Sequence, residues 1–108
     1  MKPVQLHPAA RAELHATIAY YEQQQRGLGV ALLEEVERLL TLLPHQPWMG
    51  APYKQTAFRT LHLHRFPYRV VYLDLDDHLW MIALAPDRRR PDYWSRRKLP
   101  PSETSDPQ

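Results

Sequence analysis

From Ala9 onward apolar side chains return at spacings of three and four, as Ala10, Leu14, Ile18 and Tyr21, while Arg11, His15, Glu22 and Gln23 occupy the other side. That period belongs to a helix with one buried stripe. The short alternation Val4-Gln5-Leu6 before it suits a strand, and His7-Pro8 ends that strand where proline is tolerated in a first helical turn. Gly27 is expected to supply the left-handed residue that ends the first helix. A second helix opens at Leu28-Gly29, with a stripe of Leu32, Val36, Leu39 and Leu43 widened by Leu33 and Leu40. Glu34, Glu35, Glu37 and Arg38 are expected on its wet side, and Pro44 stops it. Two helices joined by so few residues must fold back as an antiparallel hairpin. Residues 44–56 hold Pro44, Pro47, Gly50 and Pro52 and read as a connector.

Beyond that connector the period drops to two. Phe58 to Arg65 predicts a strand with Leu61 and Leu63 on one face and Thr60, His62 and His64 on the other. Phe66-Pro67 makes a turn, Tyr68 to Asp74 a second strand, and Asp76-Asp77-His78 a tight acidic turn. Leu79 to Ala85 is almost unbroken in apolar character, as in a strand buried on both faces, and Pro86 ends it. The class is α+β in the order β-α-α-β-β-β. A mainly antiparallel sheet of three or four strands is packed on one face by the N-terminal helical hairpin, leaving the other face free for function. The core is expected to hold Leu14, Ile18, Tyr21, Leu32, Val36, Leu39, Val70, Ile82 and Leu84. Residues 1–98 form a single domain, and the polar, proline-containing residues 99–108 are expected to be disordered.

Composition narrows the chemistry. With 108 residues there is room for one core. The absence of cysteine excludes a disulfide scaffold, a thiolate metal site and a cysteine nucleophile. No apolar run is long enough to span a bilayer. The Met1–Leu6 segment lacks the apolar stretch of a secretory signal, so a cytoplasmic location is expected. The net charge of +2 hides a gradient: residues 1–43 sum to −1, residues 44–98 to +5, and residues 99–108 to −2. Such a bias suits a surface that meets phosphate or an acidic protein, or else a solvated basic end.

The cations after residue 58 are arginines, Lys98 apart. Arg59, Arg65, Arg69, Arg88, Arg89 and Arg90 are expected to form a platform, because a guanidinium binds phosphate or carboxylate through a rigid fork. Tyr68, Tyr72 and Tyr93 nearby are candidates to stack on unpaired bases. His62 and His64 share a face, and His62 is a candidate for proton transfer. No third ligand accompanies them, so neither a metal nor a cofactor is expected. Gly27-Leu28-Gly29 is a hairpin turn rather than a phosphate loop. Trp94 is expected to pin the tail against the sheet, while Tyr93 is open to proton donation or base anchoring. No hydrolase, zinc-protease or nucleotide-binding pattern occurs, so small-molecule metabolism is unsupported.

Read together, His7-Pro8-Ala9-Ala10-Arg11-Ala12-Glu13-Leu14, Ala19-Tyr20-Tyr21-Glu22, the Gly27–Gly29 turn, Phe66-Pro67-Tyr68-Arg69-Val70-Val71-Tyr72 and Arg88-Arg89-Arg90-Pro91-Asp92-Tyr93-Trp94 resemble the RelE/ParE toxin superfamily of bacterial type II toxin–antitoxin systems over residues 3–97. The resemblance implies a growth-inhibiting toxin, held inactive in a hetero-oligomer by an acidic segment of a cognate antitoxin. Arg59, Arg65, Arg69, Arg88, Arg89, Arg90 and Tyr93 are the residues expected to meet target or antitoxin. The superfamily divides: RelE-like members cleave messenger RNA on the ribosome, and ParE-like members poison DNA gyrase. In the RelE-like enzymes basic side chains precede the hairpin, where Thr60 and His62 stand here. His62, Arg69, Arg89 and Tyr93 are the catalytic candidates of a RelE-like, metal-independent ribonuclease. Where many relatives carry a histidine after the last strand, this chain has Pro86-Asp87. The long hairpin and the Arg-Pro-x-Tyr-Trp ending look more like the ParE side, whose implied target is gyrase. A degenerate, non-toxic relative that acts as a binding module is the third alternative.

Overall fold

The structure, a computed structural model, describes residues 2–88 and 93–97. Strand β1 (Val4–Leu6) leads into helix α1 (Pro8–Gln24) and helix α2 (Leu28–Leu42). Strands β2 (Ala51–Pro52), β3 (Arg59–His62), β4 (Tyr68–Asp74) and β5 (Leu79–Pro86) follow. The sheet runs β1-β5-β4-β3-β2, with β1 parallel to β5 and the other neighbours antiparallel. The helical hairpin lies on one face, as the amphipathic stripes predict. The connector contributes a fifth strand, because Ala51 and Pro52 pair with Thr60 and Arg59. The observed order is thus β-α-α-β-β-β-β.

Local chemistry explains the helix ends. The His7 imidazole Nδ1 accepts the Ala9 N–H at 2.9 Å and caps α1, with Pro8 in the first turn. Gly27 is left-handed (φ 93°), but it opens α2; the residue closing α1 is Gln25, in extended conformation. The Glu22 carboxylate then takes the N–H groups of Gly27 and Gly29, each at 3.0 Å. Those contacts hold its pKa below the usual carboxylate value, the Gly27 N–H being the largest cause. The helices touch closely at Gly29, where an added Cβ would stand 2.6 Å from the Ile18 carbonyl oxygen.

The sheet is buried on both sides. Ala10, Leu14, Leu32, Val36, Leu43, Val70, Tyr72, Met81 and Leu84 fill the core beneath the helices, with Ile18, Tyr21 and Leu39 half-buried at its border. The opposite face is not free along its length. Val71, Leu73, Trp80, Ile82, Ala83, Ala85 and Trp94 form a second apolar cluster there, flanked by Tyr53 and Phe58. Trp94 is fully buried and does pin the segment after β5 to the sheet, its ring edge-on to Tyr53 and Phe58.

A bulge explains why Ile82 belongs to this second cluster rather than to the helix-side core. Val71 pairs with Ala83 but Tyr72 pairs with Met81, which leaves Ile82 as the extra residue. Beyond the bulge β5 also outruns β1, which reaches only to Met81. Side chains seal the bared edge. Glu13 Oε1 accepts the Leu84 N–H at 3.1 Å, and Arg97 Nη1 donates to the Ile82 carbonyl at 2.7 Å. Arg97 and Glu13 close the clasp with bonds of 2.7 and 3.1 Å, and the Tyr93 hydroxyl donates to Glu13 Oε2 at 3.2 Å.

A second clasp shortens β3. Glu35, placed by the sequence on the wet side of α2, is buried, and its carboxylate accepts the backbone N–H groups of His64 and Arg65. Those two residues therefore turn toward α2 instead of extending the strand, and His64 does not continue the face of His62. The expectation for residues 99–108 lies outside the described residues.

Candidate functional site

The part of the sheet's second face that the described residues leave uncovered is the corner where β3, the β3–β4 turn and the end of β5 meet. Register places His62 opposite Arg69 and Arg69 opposite Ala85, so the three share this face in one row. Next along are Thr60, Val71 and Ala83. The two alanines present only methyl groups beside the arginine.

His62 is exposed, and its Nδ1 lies 3.0 Å from Asp87 Oδ1. Asp87 is itself fixed by its N–H, which donates to the Pro67 carbonyl at 2.9 Å. With the Nδ1 proton directed to the carboxylate, Nε2 is the imidazole's remaining acceptor. Arg69 is half-buried, and its Nε is enclosed with no hydrogen-bond partner among the described residues. An imidazole with a set tautomer and an arginine across one strand gap can hold an anionic group and move a proton beside it. The Asp87 charge lowers the positive potential of the corner.

Among the described residues the arginines divide: Arg59 and Arg97 are engaged away from this row. Arg59 lies on the helix side of β3, where Nη1 donates to the carbonyls of Gly50 at 2.6 Å and Trp48 at 3.3 Å. Arg65 sits in the β3–β4 turn, its guanidinium 5.7 Å from the centre of the Phe66 ring. Arg88 is exposed and borders a hollow of about 250 Å3 with Pro67, Tyr68 and Pro86. Arg89 and Arg90 lie outside the described residues. Arg97 is tied to Glu13, whose hydrogen bond raises the guanidinium pKa. Tyr93 adds its hydroxyl to the same carboxylate, and the Arg97 guanidinium lies 5.3 Å from its ring centre.

The tyrosines divide too. Tyr72 is fully buried and cannot stack on a base. Its hydroxyl donates to the Pro47 carbonyl at 2.7 Å and accepts the Gly50 N–H at 2.9 Å, and burial is the main cause of its raised pKa. Tyr68 packs edge-on to Tyr21 on the helix side. Among the described residues no three metal-ligating side chains converge, and no helix is long and apolar enough to cross a membrane. Sequence reasoning missed Asp87 as the partner of His62. Its position just past Pro86, level with the end of the His62 strand in a meander, was the available signal.

Against known proteins, the family model described as ParE toxin of type II toxin-antitoxin system, parDE, matches residues 4–91. A chain from the chromosomal ParDE toxin–antitoxin system of P. aeruginosa has the same fold with a TM-score of 0.70 at 18% identity, covering 80% of this chain and 96% of that one. A chain of the YoeB dimer from Staphylococcus aureus gives 0.52 at 13% identity, covering 78% and 94%. No curated protein matches the sequence.

Proposed function

The chain belongs to the ParE toxin family of type II toxin–antitoxin systems, and from that membership we propose that it arrests growth by poisoning DNA gyrase until a cognate antitoxin binds and silences it. The observation that carries the reading is the extent of the family match: residues 4–91 take in both helices and all five strands. The open sheet corner supports it. Where the resemblance puts basic side chains in RelE-like nucleases stand Thr60 and His62, and Thr60 is buried and uncharged. The test adds purified protein to gyrase and a relaxed plasmid. Supercoiling should fail and cleaved DNA–gyrase complexes accumulate. Normal supercoiling in the presence of excess protein refutes the reading.

The second reading, ribosome-dependent cleavage of messenger RNA, is favoured by the row of His62 and Arg69 with Asp87 behind the imidazole. In it, His62 Nε2 takes the proton of the attacking 2′-hydroxyl and Arg69 holds the scissile phosphate. Arg89 and Tyr93 would attend the leaving group, although the Tyr93 hydroxyl is engaged by Glu13. Transcripts left intact on programmed ribosomes exclude this reading; cleavage abolished by Arg69→Ala in a protein that still folds supports it. A degenerate relative would produce neither effect, and its expression without a partner would be harmless.

A further inference from the structure

At the end of β3 remote from the sheet corner, the connector between α2 and β2 holds an indole in solvent. Trp48 is 66% exposed and belongs to neither hydrophobic cluster, whereas Trp80 and Trp94 are buried. Its backbone is fixed on both sides. The Tyr72 hydroxyl bridges the Pro47 carbonyl and the Gly50 N–H, at 2.7 and 2.9 Å. Arg59 Nη1 donates to the Trp48 carbonyl at 3.3 Å and to the Gly50 carbonyl at 2.6 Å, and the Met49 N–H donates to the Gln46 carbonyl at 2.9 Å. The loop is thus built before a partner arrives, and little ordering is required on binding. Ala51 and Pro52, the next exposed positions, carry side chains too short to cover the ring.

The segment that carries this ring is charged in one sense only. From Arg38 to Leu73 the chain has Arg38, Lys54, Arg59, Arg65 and Arg69 and no acid. Asp74, the acid that ends the stretch, is paired with Lys2 at 2.5 Å. Arg59 lies beneath the loop and Lys54 follows β2, and among the described residues neither forms an ion pair with a carboxylate. Lys54 is exposed and left-handed (φ 52°), a backbone in which lysine is strained. A second copy of the chain suits this patch poorly, because a two-fold contact sets like charges together. A polyanion with open ring faces suits it well, its phosphates meeting the cations and a base meeting the indole. Bases inside an intact duplex are already stacked on both sides, so the ring selects a base unstacked in a single strand or at a break.

We propose that Trp48 is a DNA contact, its indole stacking on an unpaired base with Lys54 and Arg59 on the flanking phosphates. The proposal rests on the gyrase reading above, in which cleaved DNA supplies bases unstacked at the break and a ring stacked there slows resealing. The test titrates the full-length protein with single-stranded oligothymidine of about 15 nucleotides. Tryptophan fluorescence should be quenched and shielded from iodide, since Trp48 is the tryptophan open to solvent. By anisotropy of fluorescein-labelled DNA, Trp48→Ala should weaken binding about tenfold and Trp48→Phe about threefold. Lys54→Ala should reduce the slope of log affinity against log salt by about 0.7. Tyr20→Ala, which removes a 54% exposed ring from α1, should leave the affinity unchanged. Circular dichroism melts matching the unsubstituted protein mark the losses as local, and Lys54→Ala carries the test alone should Trp48→Ala unfold. In the supercoiling assay Trp48→Ala should require about tenfold more protein to accumulate cleaved complexes. Full-strength DNA binding by both variants, or no binding by the unsubstituted protein, overturns the contact and leaves the gyrase reading to its own assay. DNA binding through Trp48 with gyrase unaffected supports the contact and refutes the gyrase reading. Tighter binding to the equivalent oligouridine assigns the ring to RNA and overturns the proposal. So does DNA-free capture by gyrase that Trp48→Ala abolishes while DNA affinity stays intact.

Discussion

Replacing Arg97 by alanine removes three hydrogen bonds: two to Glu13, at 2.7 and 3.1 Å, and one to the Ile82 carbonyl at 2.7 Å. The two side chains are 17% and 24% exposed, so this pair is only lightly screened by water. A hydrogen bond to a charged group contributes about 1.5–3 kcal/mol. The three do not add in full, because Glu13 keeps the Leu84 N–H and the Tyr93 hydroxyl and its charge is not stranded. The main uncompensated loss is the Ile82 carbonyl at the bulge together with one side of the ion pair. We expect a destabilisation of about 2–3 kcal/mol, a large share of the ~5–15 kcal/mol available to a typical domain. The melting temperature should fall by roughly 10 °C. Urea unfolding followed by tryptophan fluorescence is the suitable assay, since buried Trp94 lies three residues from the substituted position. A double-mutant cycle with Glu13→Gln should give a coupling energy of about 1–2 kcal/mol. Arg97→Lys, which keeps the charge but not the fork, should fall between alanine and the native residue. A loss below about 0.5 kcal/mol for Arg97→Ala, or simple additivity in the cycle, would refute the idea that this clasp seals the β5 edge.

Three further outcomes are expected. Gly29→Ala should destabilise by about 2 kcal/mol in thermal melts despite alanine's better helix propensity, because its Cβ meets the Ile18 carbonyl; a stabilised variant contradicts the close approach of the helices. Tyr72→Phe leaves the Pro47 carbonyl and the Gly50 N–H without their partner and should cost about 1.5–3 kcal/mol, with faster amide exchange at Gly50; unchanged exchange argues against the bridge. Burial, aided by the Arg97 charge, lowers the His7 pKa below 6.5. As pH falls the unfolded chain therefore takes up its proton first. This contribution is fully present above about pH 6.5 and is lost as pH drops through the lower folded value, where the protonated ring can no longer accept the Ala9 N–H. His7→Asn, which keeps a capping acceptor, should flatten the fall in the urea midpoint between about pH 7.5 and 5.5. An unchanged slope rules His7 out as its source.

The candidate site was legible in part. Alternation along β3 put His62 on the face away from Leu61, but its pairing with Arg69 came only with the strand register. Arg59 could not be separated from Arg69 on composition, although one reaches loop carbonyls on the helix side and the other lies on the open face. Glu35 looked like a solvent-facing member of an acidic run. Its burial depends on two N–H groups that arrive from residues 64 and 65.

What the sequence determined by itself was the succession of elements apart from β2: the two stripes, the turn at Gly27, the Pro8 and Pro44 boundaries, and the apolar run of β5. These follow from periodicity and backbone chemistry, which act over a few residues. Only the tertiary structure decided that the second sheet face is largely covered, that the bulge carries Ile82 onto it, and which charges meet. Glu13 and Arg97 are 84 residues apart, and their contact exists only because α1 and the segment after β5 both reach the edge that β1 leaves bare. Strand register and chain closure set such meetings, and neither has a local signature.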